Sequence, residues 1–160
     1  MEQGKLQVYY GNGQGKSSAA LGNAIRAAGN GKRVYIVQFM KEQNNIDLIA
    51  RLEPEVKVFR FERCVECFQD LSDEQKEEEK QNIINGLNFA KKALVTEECD
   101  LLVLDEILGV VEEGMTTEEE LLNVLKARSL FTSVILTGTN LPESIKDFAD
   151  EVMNIVSEKP

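Results

Sequence analysis

The sequence predicts an α/β fold, a three-layer sandwich built around a mostly parallel sheet. Strand-like and helix-like segments alternate from one end to the other, the order that βα units impose. The strand-like segments are continuously apolar, as strands covered on both faces are. The first strand also leads through a glycine-rich turn ending in Lys16-Ser17 into a helix, a pattern suited to phosphate.

Leu6 to Tyr10 is a short β-prone run that stops at glycine. From Ser17 the pattern becomes helical, and Ala19, Ala20, Ala24, Ala27 and Ala28 let that helix lie close to a sheet; Gly29 and Gly31 supply its stop. Arg33 to Phe39 reads as a second strand and Val56 to Phe61 as a third, with a short helix around Ile46 to Leu52 before Pro54. Ser72 and Gln75 form a capping box, opening a long helix whose apolar face is Ile83, Leu87, Ala90 and Leu94. Leu101 to Glu106 is an apolar strand ending in two acids. Thr117 and Glu120 make a second capping box, starting a helix to about Arg128. Ser133 to Thr137 is a fifth strand. Pro142 then starts a helix with Ile145, Phe148 and Ala149 inward, and Val152 to Val156 is a last strand.

At 160 residues the chain is expected to form one domain over residues 1–160. A net charge of −10 argues against a nucleic-acid partner. The acidic runs Asp73 to Lys80 and Glu118 to Glu120 read as solvated helix faces. No apolar run approaches a membrane span, and the first residues lack the plan of a signal peptide, so a cytoplasmic protein without a membrane partner is expected. There is no histidine, which removes the commonest general base and metal ligand. Cys64 and Cys67 have C-x-x-C spacing, but a closed zinc site wants about four ligands. Reduced loop thiols are the plainer reading, with intermolecular zinc or redox sensing as the alternative.

Ligands of open parallel sheets bind outside the carboxyl ends of the strands. There lie Gly11, Asn12, Gly13, Gln14, Gly15, Lys16, Ser17 and Ser18, one residue shorter than the usual phosphate loop, with Tyr10 in the place of its first glycine. Positive φ at Gly11, Gly13 and Gly15 would turn successive N–H groups inward as an anion nest that runs into a helix N-terminus. Lys16 offers a point charge and Ser17 a hydroxyl for Mg²⁺. Asp105 is the matching acid for that Mg²⁺. Glu106 would polarise water or serve as a structural carboxylate.

Val8 to Lys41, VYYGNGQGKSSAALGNAIRAAGNGKRVYIVQFMK, resembles the opening of the corrinoid adenosyltransferases acting on cob(I)alamin or cob(I)yrinic acid a,c-diamide. Their pattern is V-x-T-G-N-G-K-G-K-T-T-A-A-x-G-x-A-x-R-A-x-G-x-G-x-x-V-x-x-x-Q-F-x-K-G. DLLVLDEI, from Asp100, and VILTGTNLPESIKDFADEV, from Val134, are similar to later blocks of that family. The resemblance implies a RecA-like P-loop fold, often dimeric. It also implies transfer of the 5′-deoxyadenosyl group of ATP to Co(I) of a reduced corrinoid, with Mg²⁺ present and triphosphate leaving whole. ATP would lie in the loop in reverse sense relative to hydrolases. Lys16 and Glu106 become catalytic candidates, and a reductase delivering Co(I) becomes a possible partner. Aromatic residues after the third strand would exclude the corrinoid's lower axial ligand; Phe59, Phe61 and Phe68 lie there, with Phe68 and Lys41 the corrinoid-side candidates, although Phe68 could equally be core.

Some positions depart from the family. Gln14 stands for a lysine, Ser17-Ser18 for two threonines, Glu42 for a glycine and Thr139 for an arginine, and a tryptophan and a His-Pro tail are missing. Two other readings follow: a non-enzymatic ATP- or corrinoid-binding protein of the same fold, and an ATP-hydrolysing P-loop protein.

Overall fold

The structure, a computed structural model, describes residues 2–39, 51–61 and 68–159. Its strands are β1 (Leu6–Tyr10), β2 (Val34–Gln38), β3 (Val56–Arg60), β4 (Leu101–Asp105), β5 (Ser133–Gly138) and β6 (Glu151–Asn154). They form one sheet in the order β3-β2-β4-β5-β1-β6, and every ladder is parallel. The expected mostly parallel sheet is therefore parallel throughout the described residues. β4 is buried at all five positions, whereas the edge strands β3 and β6 are only partly covered.

Among the described residues, helix α1 (Lys16–Gly29) is the one helix on its face of the sheet. Ala20 and Ala24 are buried there against Val34, Ile36, Leu101, Val103 and Ile135, so the small side chains do let helix and sheet approach. Gly31 (φ 81°) ends the helix. The Lys32 amide donates to Ala27 O and the Gly31 amide to Ala28 O, which is a Schellman closure. Gly29 itself is still helical.

The opposite face carries α2 (Asp73–Val95), α3 (Ile107–Glu112), α4 (Glu118–Leu125) and α5 (Glu143–Phe148). The predicted face of α2 is buried as expected: Ile83, Leu87, Ala90 and Leu94 join Val37, Phe39, Leu102 and Leu104 in the main core. Both halves of its capping box are present, the Gln75 amide donating to Ser72 Oγ and the Ser72 amide to Gln75 Oε1.

Several expectations change. At the start of α4 only half of the second box forms: the Glu120 amide donates to Thr117 Oγ1, while the Glu120 carboxylate accepts from the Thr116 hydroxyl instead. That helix ends at Leu125 rather than near Arg128. α3, which the sequence did not signal, begins directly after β4. The acidic run in α2 is not wholly solvated, because Glu79 sits on the inward face and is 2% exposed. Phe148 is exposed rather than inward; α5 stops there, and the extended Ala149 packs against the core in its stead. β6 ends at Asn154, not Val156; the Ile155 amide still donates to Tyr10 O of β1, while its carbonyl accepts from Gly13 in the loop that follows. Arg51 and Leu52 lie in a turn; the rest of the short helix expected around Ile46, together with Glu42 and both C-x-x-C cysteines, falls outside the described residues.

Candidate functional site

Parallel strands place all their carboxyl ends on one edge of the sheet, and β1, β4 and β5 bring three chemistries together there. The loop from Gly11 to Gly15 leaves β1, Asp105 ends β4, and Thr137 stands near the end of β5. Asp105 is 4% exposed and Thr137 fully buried. The Ser17 hydroxyl donates to Asp105 Oδ1 at 2.8 Å, and the Thr137 hydroxyl donates to the same oxygen at 2.7 Å. Thr137 Oγ1 also accepts the Glu106 amide at 2.8 Å. The predicted pair of Ser17 and Asp105 is thus brought into direct contact. Thr137 was not singled out by its sequence, since a threonine in an apolar strand reads as strand propensity.

Glu106 adopts φ 64° and ψ 17° at the N-cap of α3. A non-glycine residue in this left-handed region costs of order 1–3 kcal/mol and persists only where its surroundings hold it. Here the bond from its amide to Thr137 and the two amides, of Gly109 and Val110, that donate to its carbonyl hold it at the mouth of the site.

The glycine loop has a more specific construction than its spacing implies. Gly11 (φ 123°) and Gly15 (φ 104°) are left-handed as expected. Gly13 is not among the positive-φ residues; it is required by proximity. A Cβ there would lie 2.8 Å from Ile155 O and 2.9 Å from Val156 C. Two loop amides are already engaged: Gly11 N–H donates to Thr139 O at 3.0 Å and Gly13 N–H to Ile155 O at 2.9 Å. Ile155 N–H in turn donates to Tyr10 O at 2.7 Å. An anion nest is therefore left with the amides of Asn12, Gln14, Gly15 and the opening turn of α1, where a helix cannot pair its own N–H groups. Lys16 Nζ reaches back over this loop and donates to Gly13 O at 2.8 Å. Asn12, Gln14 and Ser18 are exposed around it. Thr139, exposed and bonded to the loop through its carbonyl, borders the same opening.

Gln38, the last residue of β2, pairs in register with Asp105 and is 7% exposed. The sequence places it near the end of the second strand and within the stretch that resembles the family, without giving it a role. Of the corrinoid-side candidates, Lys41 lies outside the described residues, and Phe68 opens a 3-10 turn over Phe68–Asp70. Phe59 belongs to β3 rather than to the following loop. Phe59 and Phe61 pack on Phe89 of α2, with ring centroids 4.4 and 5.6 Å apart. They build an aromatic cluster with Tyr35.

Two perturbed groups lie at the opposite, amino edge of the sheet. The Arg33 guanidinium holds the Asp100 carboxyl below the usual range, and burial pushes the Cys99 thiol up to about 12. Among the described residues no group of three or more Cys, Asp or Glu is arranged to hold a metal.

Residues 2–160 match the family model described as ATP:corrinoid adenosyltransferase BtuR/CobO/CobP. The corrinoid adenosyltransferase CobA of Salmonella typhimurium is 32% identical over 154 residues, which is 96% of this chain and 77% of that protein. The corrinoid adenosyltransferase of Pseudomonas aeruginosa is 30% identical over 152 residues, covering 94% and 74%. Among solved structures, a KaiC-like protein of Pyrococcus horikoshii superposes with a TM-score of 0.63 at 17% identity, over 99% of this chain and 75% of that one. That likeness concerns the fold, which is of the P-loop, RecA-like kind. A glycine loop buttressed from β6, a serine–aspartate contact behind it and a family match over nearly the whole length converge, and the chain belongs to the ATP:corrinoid adenosyltransferase family.

Proposed function

We propose that this chain, acting as one domain over residues 1–160, transfers the 5′-deoxyadenosyl group of ATP to Co(I) of a reduced corrinoid and releases triphosphate. The observation that carries the reading is the contact of Ser17 with Asp105 beneath the glycine loop. It sets a hydroxyl and a carboxylate at the opening turn of α1, where the helix N-terminus would favour a triphosphate. In the transfer, the cobalt electron pair forms the Co–C5′ bond. The C5′–O bond breaks, and its pair leaves on the triphosphate oxygen. No proton is moved, which suits a chain without histidine.

Each residue then has a definable task. The amides of Asn12, Gln14 and Gly15 and the Lys16 ammonium hold the polyphosphate and favour its charge as it departs. Lys16 would exchange its bond to Gly13 O for the phosphates. Glu106, held in its strained turn, faces the transfer as the second catalytic candidate. Gly11 and Gly13 shape the loop through their bonds to Thr139 and Ile155. Lys41 and Phe68 are proposed for the corrinoid side.

Mg²⁺ takes hard oxygen ligands, usually one or two protein groups plus substrate phosphates and water. Ser17 Oγ and Asp105 fit that donor set, and when bound the ion would neutralise phosphate charge. The proposal extends to a cytoplasmic homodimer supplied with Co(I) by a reductase. Among the described residues, no helix is long and apolar enough to cross a membrane.

The test is the phosphate product. Protein with MgATP and chemically reduced corrinoid should form a light-sensitive Co–C bond and inorganic triphosphate in equal amounts. ADP as the product, or no change in the corrinoid spectrum, overturns the proposal.

A further inference from the structure

Gln38 presents an unusual piece of buried polarity. Its Oε1 is enclosed, and among the described residues nothing donates a hydrogen bond to it. Buried polar atoms are nearly always paired, so an exception calls for a reason.

Its location supplies one. Strand side chains alternate between faces. Val37 and Phe39 enter the core under α2, while Val34 and Ile36 face α1; Gln38 therefore shares the α1 face. On β4, Leu101 and Val103 face α1, and so does Asp105. On β5, Ile135 does, and so does Thr137. Gln38 and Asp105 are register partners, roughly 4.8 Å apart along the hydrogen-bonding direction. Leu104 pairs with Leu136, which puts Thr137 next to Asp105 on the other side. The edge under α1 is thus a row of Gln38, Asp105 and Thr137, with Ser17 above its centre. Thr137 and Ser17 both donate to Asp105. Gln38 is the one member of the row with an acceptor that no described residue serves.

We propose that Gln38 is a positioning residue, whose amide oxygen accepts a hydrogen bond from a water carried by the divalent cation at Ser17 and Asp105. The inference rests on the magnesium reading above. Mg²⁺ gives up its waters reluctantly, and each such water is a strong donor needing an acceptor near the protein ligands. Gln38 supplies that acceptor from β2, the strand on the far side of Asp105 from Thr137. Removing a partner of this outer kind commonly costs 10–100-fold in metal affinity.

Thermal unfolding of the full chain tests this with Gln38→Met, which keeps the length and loses the acceptor, and with Gln38→Leu as a second variant. Each is melted without ligand, with ATP in EDTA, and with ATP over a range of Mg²⁺. The expected result is an unliganded melting temperature at or above the parent's, since no bond is lost, and an unchanged shift with ATP in EDTA. The Mg²⁺ concentration giving half of the additional shift should rise about tenfold. An unchanged Mg²⁺ midpoint in the Met variant overturns the proposal. So does a lowered unliganded melting temperature, or failure to fold, in both variants, because Gln38 would then be a structural residue. A parent protein that Mg²⁺ stabilises no further than ATP alone overturns the magnesium reading, and this proposal with it.

Discussion

Replacing Thr137 by valine deletes one hydroxyl and leaves the side-chain shape almost unchanged. The residue is fully buried, so solvent cannot replace what is lost. Two bonds disappear: the donation to Asp105 at 2.7 Å and the acceptance of the Glu106 amide at 2.8 Å. A hydrogen bond to a carboxylate contributes about 1.5–3 kcal/mol, and an amide left unpaired costs about 1–3 kcal/mol when buried. Asp105 keeps Ser17 as a donor and Glu106 is only half-buried, so the low ends apply. The sum is about 2–4 kcal/mol. In a chain of this length each kcal/mol moves the melting temperature by about 2–4 °C, which gives a fall of roughly 4–16 °C. Thr137→Ser keeps the hydroxyl and loses one methyl, a cost of about 1 kcal/mol. Circular-dichroism melting should therefore rank the parent above the serine variant and the serine variant above the valine one. A valine variant that melts with the parent, or above the serine variant, would refute the claim that this hydroxyl braces the strained turn at Glu106.

Gly13→Ala and Gly22→Ala should act in opposite directions. The first drives a Cβ into the Ile155 carbonyl, whereas the second meets nothing within 4 Å. Overpacking should cost the first about 1–3 kcal/mol and weaken ATP binding in calorimetry, while the helical site should gain about 0.5–1 kcal/mol. Asp100→Asn should destabilise by no more than about 1 kcal/mol at neutral pH, because the ion pair with Arg33 is largely exposed and screened. Since Asp100 is held below its usual range, that contribution is present above the unfolded carboxyl's pKa and disappears as pH falls through the folded one. Denaturant titrations at neutral and acid pH should show the gap between parent and variant closing. Cys99, buried and raised to about 12, should resist alkylation at pH 8 until the chain is unfolded, as peptide mapping would show. Its raised value also means that this stabilising term is full below the unfolded thiol's pKa and fades as pH climbs toward 12.

Local chemistry was legible in the sequence, and contacts between distant segments were legible only where a known motif links them. Ser72 and Gln75 announce the start of α2 because both partners lie within one turn, and Gly31 announces the end of α1 for the same reason. The pairing of Ser17 with Asp105 was legible through the phosphate-loop pattern. Gly13 misled, because its glycine is demanded by Ile155, far away in the chain. Glu79 looked solvated within an acidic run, since composition does not say which side of a helix faces the core. Thr137 and Gln38 take their significance from register across three strands, which no single segment encodes. Phe148 was placed inward by helical spacing, but α5 ends at that residue and the spacing has nothing left to act on.

The packing of Ile155 on the glycine loop has a consequence for how the molecule comes into being. β1 and its loop are made well before β6, yet β6 pairs with β1, and Leu6 and Asp150 touch across 144 residues. The carbonyls that receive Gly11 and Gly13 belong to Thr139 and Ile155, which are synthesised more than 120 residues later. A nascent chain would display the whole phosphate-binding sequence without the partners that give it shape. Contacts of such long range form late and slowly. Nucleotide can stabilise only a state that binds it, so ATP cannot guide the early stages of folding and can act only as a clasp on a loop whose distant partners have already docked.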